Sequence, residues 1–274
     1  MSTKRCDVCP HGCVLKDGQT GLCCARSNYG GEIRVNNYGR ITAMALDPIE
    51  KKPLYQFFPG SMILSVGSYG CNLACPFCQN HEIAVGDGAS AGAVYLSPES
   101  LLQRALSVPE SIGVAFTYNE PLVGYEYVRD CAKLLKANGQ KTVLVTNGYV
   151  NEEPLKKLLP LIDAMNIDLK GFTEDYYKKL KGHIEPVKRA IETAVKNCHV
   201  EVTTLIVPGE NDSEDDMRRE SEWLASIDKS IPLHISRFFP RYHMSGEQPT
   251  PVKTVYALAD VARKVLTSVY TGNC

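Results

Sequence analysis

From residue 62 onward, short apolar runs rich in β-branched residues alternate with helical patterns, and this alternation limits the possible folds more than any other feature of the chain. Strands are predicted over 63–68, 112–117, 142–146, 164–169, 200–207 and 233–237. Their nearly continuous apolar character suits strands buried on both faces of a parallel sheet. Between them the helices carry their own punctuation. Ser97-Pro98-Glu99 supplies a cap, a proline at the first helical position and an acid in the first turn. The stretch 122–137 places Val123, Tyr127, Val128, Cys131, Leu134 and Leu135 at helical spacing and stops at Asn138-Gly139. Further helices are expected at 152–159, 185–197, 213–226 and 252–267. Strand followed by helix, six times over, implies right-handed crossovers and an α/β fold, a partial (β/α)6 TIM-like barrel. The expected division is a cysteine-rich segment at 1–60 followed by a core domain at 61–274.

In such folds ligands bind at the C-terminal ends of the strands, and here each strand runs into an unusual polar motif. The second ends in Thr117-Tyr118-Asn119-Glu120-Pro121, the third in Thr146-Asn147-Gly148 and the fourth in Asp168-Leu169-Lys170-Gly171. The fifth ends in Val207-Pro208-Gly209-Glu210-Asn211-Asp212, and the sixth carries His234, Ser236 and Arg237. All are expected to converge on one mouth. A carboxylate such as Glu120 at the end of a buried strand needs a cation or donors to meet it; a turn capped by Asn119 and Glu120 is the plainer alternative. Asp168 and Lys170, two apart on a strand, project to one face as either a salt bridge or a ligand contact. Thr146 and Asn147 read as ligand-binding groups or as turn chemistry. His234 reads as a substrate-facing group or a satisfied core histidine. Arg237 and Arg241, flanking Phe238-Phe239-Pro240, suit an anionic ligand or an ordinary surface.

The first strand leads into Gly70-Cys71-Asn72-Leu73-Ala74-Cys75-Pro76-Phe77-Cys78-Gln79-Asn80, with cysteines at C-x3-C-x2-C spacing. Three thiolates on one loop can ligate three irons of a [4Fe-4S] cube and leave the fourth iron free, whereas ferredoxin-type clusters are closed by four cysteines. An incompletely ligated metal is a reactive one. A fragment of a zinc site or thiols packed as small hydrophobes are the alternatives, although zinc's usual C-x2-C pairs do not match this triplet.

The run resembles the radical S-adenosylmethionine (SAM) superfamily signature, C-x3-C-x-aromatic-C, in which the amino and carboxylate groups of SAM chelate the free iron. An electron from the cluster then cleaves SAM to methionine and a 5′-deoxyadenosyl radical. The resemblance implies that Cys71, Cys75 and Cys78 hold the cluster and that Phe77, Asn119, Glu120, Thr146, Asp168, Lys170, Val207 and His234 line the SAM site. It assigns no catalytic acid or base. Related members carry Gly-Gly-Glu-Pro where this chain has Tyr118-Asn119-Glu120-Pro121, so the glycines are absent. Six further segments sharpen the likeness: Cys-Pro-His-Gly-Cys from Cys9, Leu46-Asp47-Pro48-Ile49-Glu50-Lys51-Lys52-Pro53-Leu54-Tyr55, Phe58-Pro59-Gly60-Ser61, Cys78-Gln79-Asn80, Ser236-Arg237-Phe238-Phe239-Pro240 and Tyr270-Thr271-Gly272-Asn273. Together they look like the radical SAM enzyme of the AmmeMemoRadiSam system, itself similar to pyruvate formate-lyase activating enzymes. The implied partners are SAM, an electron donor such as flavodoxin or ferredoxin, and a substrate that the sequence leaves unidentified, a protein included. Glycyl radical activation is the second reading, and an iron–sulfur electron-transfer or metal-binding module without SAM chemistry is the third.

Ahead of the barrel, Cys6, Cys9, Cys13, Cys23 and Cys24 fall within a short stretch, with His11 as a spare ligand. Cys6, Cys9, Cys13 and Cys23 suit zinc, a second iron–sulfur cluster or unmetallated packing, and all three readings stay open. Cys131 sits on a helical apolar stripe, while Cys198 and Cys274 show no ligand pattern. Eleven cysteines argue for metal or redox chemistry rather than a disulfide framework if the chain is cytoplasmic, as expected from an N-terminus without an apolar leader core. No run approaches the roughly 18 apolar residues of a membrane span. A formal net charge of -1 gives no basic stripe, so nucleic acid is unsupported.

Overall fold

The computed structural model describes residues 3–274; Met1 and Ser2, the start of the segment read as lacking a leader core, lie outside the described residues. Its centre is an eight-stranded sheet. Seven strands run parallel in the spatial order Met62–Gly67, Ser111–Phe116, Lys141–Thr146, Ala164–Asp168, His199–Ile206, Leu233–Arg237 and Val269–Gly272. Ala43–Pro48 pairs antiparallel to the outer edge of the first of these. Six of the parallel strands are those the apolar runs predict, with ends shifted by one residue at most. Val269–Gly272 adds a seventh. The barrel is therefore partial, with Ala43–Pro48 and Val269–Gly272 at its two edges.

One broad apolar layer lies between the sheet's outer face and the helices: Leu64, Val114, Leu144, Met165, Val202 and Leu233 from the strands meet Leu101, Val128, Leu135, Val187, Leu224 and Leu258. On the inner face a smaller cluster joins Ile49, Leu54 and Phe57 to Ile63, Ala115, Val143 and Ala164. The segment 49–58 thus plugs the barrel, and Glu201 fixes it there. The Glu201 carboxylate accepts the backbone N–H groups of Tyr55 (2.9 Å) and Gln56 (2.7 Å) and pairs with the rings of His199 and His234. Burial pushes that carboxyl upward, but these partners outweigh it and hold the group down at about 2.

Because Ala43–Pro48 belongs to the main sheet, the boundary expected at residue 60 falls inside the core body. What stands apart is a module of two short antiparallel pairs, Thr3–Arg5 with Val14–Lys16 and Arg26–Tyr29 with Glu32–Val35. It docks through Arg26, whose buried guanidinium bridges both oxygens of Glu126 at 2.8 and 2.6 Å and donates to the Val123 carbonyl. Asn151 holds the other side, bonding the carbonyls of Asp7 and Val8. Among the described residues no helix is long and apolar enough to cross a membrane.

Candidate active site

The loop after the first parallel strand is held from every side. Gly70 adopts φ +91°, and a Cβ there would stand 2.4 Å from the Cys23 carbonyl oxygen and 2.9 Å from the Ala25 side chain. Ala74 N–H donates to Leu180 O, His243 N–H to Pro76 O, the Asn80 amide to Tyr118 O and the Asn72 amide to Tyr149 O. Cys71, Cys75 and Cys78 are half-buried on this loop. Burial pushes the Cys71 thiol well up, and Glu120 and Cys75 add to the effect. Burial likewise raises Cys75 to about 11, with Lys170 pulling the other way and Cys78 and Asp168 opposing Lys170. Three desolvated thiols this close together are costly as anions unless a cationic centre meets them. Leu73 N–H at 3.5 Å and the Asn147 amide at 3.6 Å already aim at the Cys71 sulfur. The donor set fits an iron–sulfur cube.

Around the loop stand the polar strand ends. Glu120, 2 % exposed, accepts from the Thr146 hydroxyl (2.6 Å), Leu122 N–H (2.9 Å) and Asn147 N–H (2.7 Å). Burial raises its carboxyl to about 7 despite these donors. Its partners are therefore protein groups, and it pins the second strand end to the third. Asn119 is engaged in the same way: its amide donates to Tyr69 O and Gly70 O, and its oxygen accepts Ser68 N–H. Asp168 and Lys170 do project together, 2.9 Å apart, beside Cys75 and Cys78. Burial works against the Lys170 ammonium, but Asp168 and Cys75 prevail and hold it protonated. Asn211 bonds Lys170 O and Leu205 O and accepts Val207 N–H, locking the fourth and fifth strand ends together.

Phe77 and Val207 meet Tyr176, Leu180 and Phe238 in a separate apolar cluster against Cys75. His234 stands apart from this group. It lies near the start of its strand, bonded to Glu201 and stacked on Tyr270. Arg237 donates to Thr250 O and lies over Phe239, and Arg241 is exposed.

Two sets of residues were not singled out as site groups by their sequence. Asn72, between two of the cysteines, bonds Asn147 and Tyr149. Lys52, 3 % exposed, donates to Asp47 at 2.8 Å, Tyr118 donates to the same carboxylate at 3.0 Å, and the Lys52 ammonium lies 5.0 Å from the Tyr118 ring centre. Tyr118 is held at φ +72° over Gly67 to reach it. The only hint in the chain was that Asp47 and Lys52 share one of the segments that carry the family likeness.

In the N-terminal module Cys6, Cys9, Cys13 and Cys23 line one cavity together with His11 and Arg26. Cys24 points elsewhere, toward the carbonyl of Val85. Cys131 is buried in the main core, as its stripe implied.

A family model described as the radical SAM superfamily matches residues 65–220. An uncharacterized protein of Methanocaldococcus jannaschii is 38% identical over 272 residues, covering 98% of this chain and 81% of its own length. The pyruvate formate-lyase 1-activating enzyme of Escherichia coli K12 is 28% identical over 175 residues, covering 60% of this chain and 71% of its own. Among solved structures, SuiB of Streptococcus suis bound to S-adenosylmethionine superposes with TM-score 0.59 at 12% identity, over 75% of this chain and 48% of that one. A domain of a pyruvate-formate lyase-activating enzyme from Bacteroides vulgatus gives 0.51 at 19% identity, over 59% and 99%. The two superpositions support the fold.

Proposed function

This chain belongs to the radical SAM superfamily, and we propose from that membership that Cys71, Cys75 and Cys78 are its cluster ligands and that the polar strand ends beside them seat SAM. When bound, the [4Fe-4S] cluster and SAM supply a one-electron reductive cleavage that yields a 5′-deoxyadenosyl radical able to abstract hydrogen. The observation that carries the reading is the convergence of three neighbouring, desolvated thiols with the Asp168–Lys170 pair at the C-terminal ends of parallel strands. Lys170 keeps its proton and offers an ammonium to a carboxylate, and Asp168 offers a carboxylate to an amine. Phe77 and Val207 present an apolar wall on which an adenine ring packs. Phe238 and Tyr176 behind that wall exclude water from it. Glu120 acts through Thr146 and Asn147 as a positioning residue.

Oxygen-free reconstitution with iron and sulfide, followed by SAM and dithionite, is expected to yield 5′-deoxyadenosine, and Cys75→Ala is expected to yield none. Sustained SAM cleavage by that variant overturns the assignment. The electron donor is of the flavodoxin or ferredoxin class. A second reading makes the hydrogen source a backbone glycine of a large partner; the Escherichia coli relative named as an activating enzyme favours it. The departure from Gly-Gly-Glu-Pro at Tyr118-Asn119 and the additional N-terminal cysteines weigh against it. A glycyl radical signal in electron paramagnetic resonance of the enzyme mixed with a candidate partner decides between them. The finer likeness to the AmmeMemoRadiSam-system enzyme rests on the shared sequence segments alone.

A further inference from the structure

We propose that Cys6, Cys9, Cys13 and Cys23 hold a second iron–sulfur cluster, closed by four protein thiolates and therefore unable to bind SAM. The four side chains come from two turns of the N-terminal module and line a single cavity. All four are free thiols, so no disulfide competes for them. His11 lines the same cavity, with Nε2 2.7 Å from Asn72 O and its ring edge-on against Tyr149. Four thiols among the lining groups make a sulfur-rich donor set, which selects iron–sulfur clusters or zinc among biological metals.

Position favours the cluster: the module lies against the core's own cysteine loop, where a closed iron–sulfur centre serves electron transfer. The module is also built to stay in place. The Arg26–Glu126 bridge is nearly buried, and the Cys23 carbonyl packs on Gly70, directly before the first ligand of the SAM-binding cluster. With four thiolates and no open iron, such a centre is suited to electron transfer or scaffolding.

The full chain is reconstituted with iron and sulfide without oxygen; iron, acid-labile sulfide and zinc are counted per chain, and reduced samples are examined by electron paramagnetic resonance with and without SAM. The wild-type protein is expected to carry about eight irons. A Cys71→Ser/Cys75→Ser/Cys78→Ser protein is expected to keep about four, with a signal that SAM leaves unchanged. Cys6→Ser/Cys23→Ser is expected to keep about four, with a signal that SAM alters. About four irons in the wild type with none in the triple variant overturns the proposal, and so does one zinc per chain. Should Cys6→Ser/Cys23→Ser fail to fold, the triple variant decides alone, because it leaves the N-terminal module untouched. That count also stands whether or not the first cluster cleaves SAM, so the two assignments fail separately.

Discussion

Gly70 couples the two cysteine-bearing regions because it lacks a side chain. An alanine there would be penalised twice, once for φ +91° and once for overlap with the backbone carbonyl of Cys23. Gly209 provides the control: it also has positive φ, +75°, but a methyl group added to it would meet nothing within 4 Å. Left-handed strain alone costs about 1–2 kcal/mol. Gly209→Ala is therefore expected to lower stability by about that amount and keep its iron, whereas Gly70→Ala loses several kcal/mol on the scale of severe single mutations and loads cluster poorly. Denaturant midpoints and iron content read both effects; equal losses in the two variants would show that the Cys23 contact is unimportant. At this scale the sequence revealed which residues gather but not which partners they take. Glu120 and Asn119 read either as groups meeting a ligand or as a capped turn, and the atoms they bond come from Thr146, Asn147, Leu122, Tyr69 and Gly70. Those contacts appear only once the strands are in register.

Among the elements, the six central strands were readable because burial on both faces leaves an uninterrupted apolar run. Ala43–Pro48 and Val269–Gly272 escaped because edge strands expose more of their length, and the six-residue helix Glu174–Lys179 was too short for a periodic signal. His234 lies with Glu201 and Tyr270 rather than beside the cysteine loop for a related reason: its apolar neighbours mark a strand but not which end of it a side chain serves. Glu201, fully buried and shared by Tyr55, Gln56, His199 and His234, joins the plug to two strands. Glu201→Gln is expected to cost about 3 kcal/mol by turning an acceptor into a donor against those partners, measured by urea denaturation. Unchanged stability would remove Glu201 as the anchor. Glu220, on the helix Glu214–Asp228, presents the opposite case. Burial raises its carboxyl to about 8, against the single hydroxyl bond from Thr204 and with Asp216 adding to the rise. A carboxyl whose folded-state value lies above its unfolded one binds its proton more tightly when folded. Its contribution is complete below about 4.5 and is lost as pH rises through about 8. Between pH 6 and 8 the wild type should lose about 2 kcal/mol more stability than Glu220→Gln, from one group titrating at 1.36 kcal/mol per unit. Parallel pH profiles for the two proteins would contradict this.

For the molecule as a whole, the cysteine loop is a meeting point of distant chain segments rather than a peripheral appendage. Residues 70–80 bond to Ile83, Tyr118, Tyr149, Leu180 and His243 and pack on the carbonyl of Cys23. Without a cation, the three thiols must stay protonated or carry costly buried charge, since burial raises all three. Cluster assembly near neutral pH therefore releases protons and contributes its binding free energy to the fold. The stabilisation should reach every segment bonded to the loop. Hydrogen exchange of the chain with and without its cluster, compared in the absence of oxygen, is expected to slow on loading at 118–120, 147–149, 180–182 and 241–244 as well as at 70–80. A protein carrying Cys75→Ala should exchange like the cluster-free chain at all five stretches. If slowing is confined to 70–80, the loop closes on its metal as an independent unit, and the hydrogen bonds to the four remote stretches do not carry the coupling. If slowing extends to all five, cluster loss and loosening of the barrel mouth are one event.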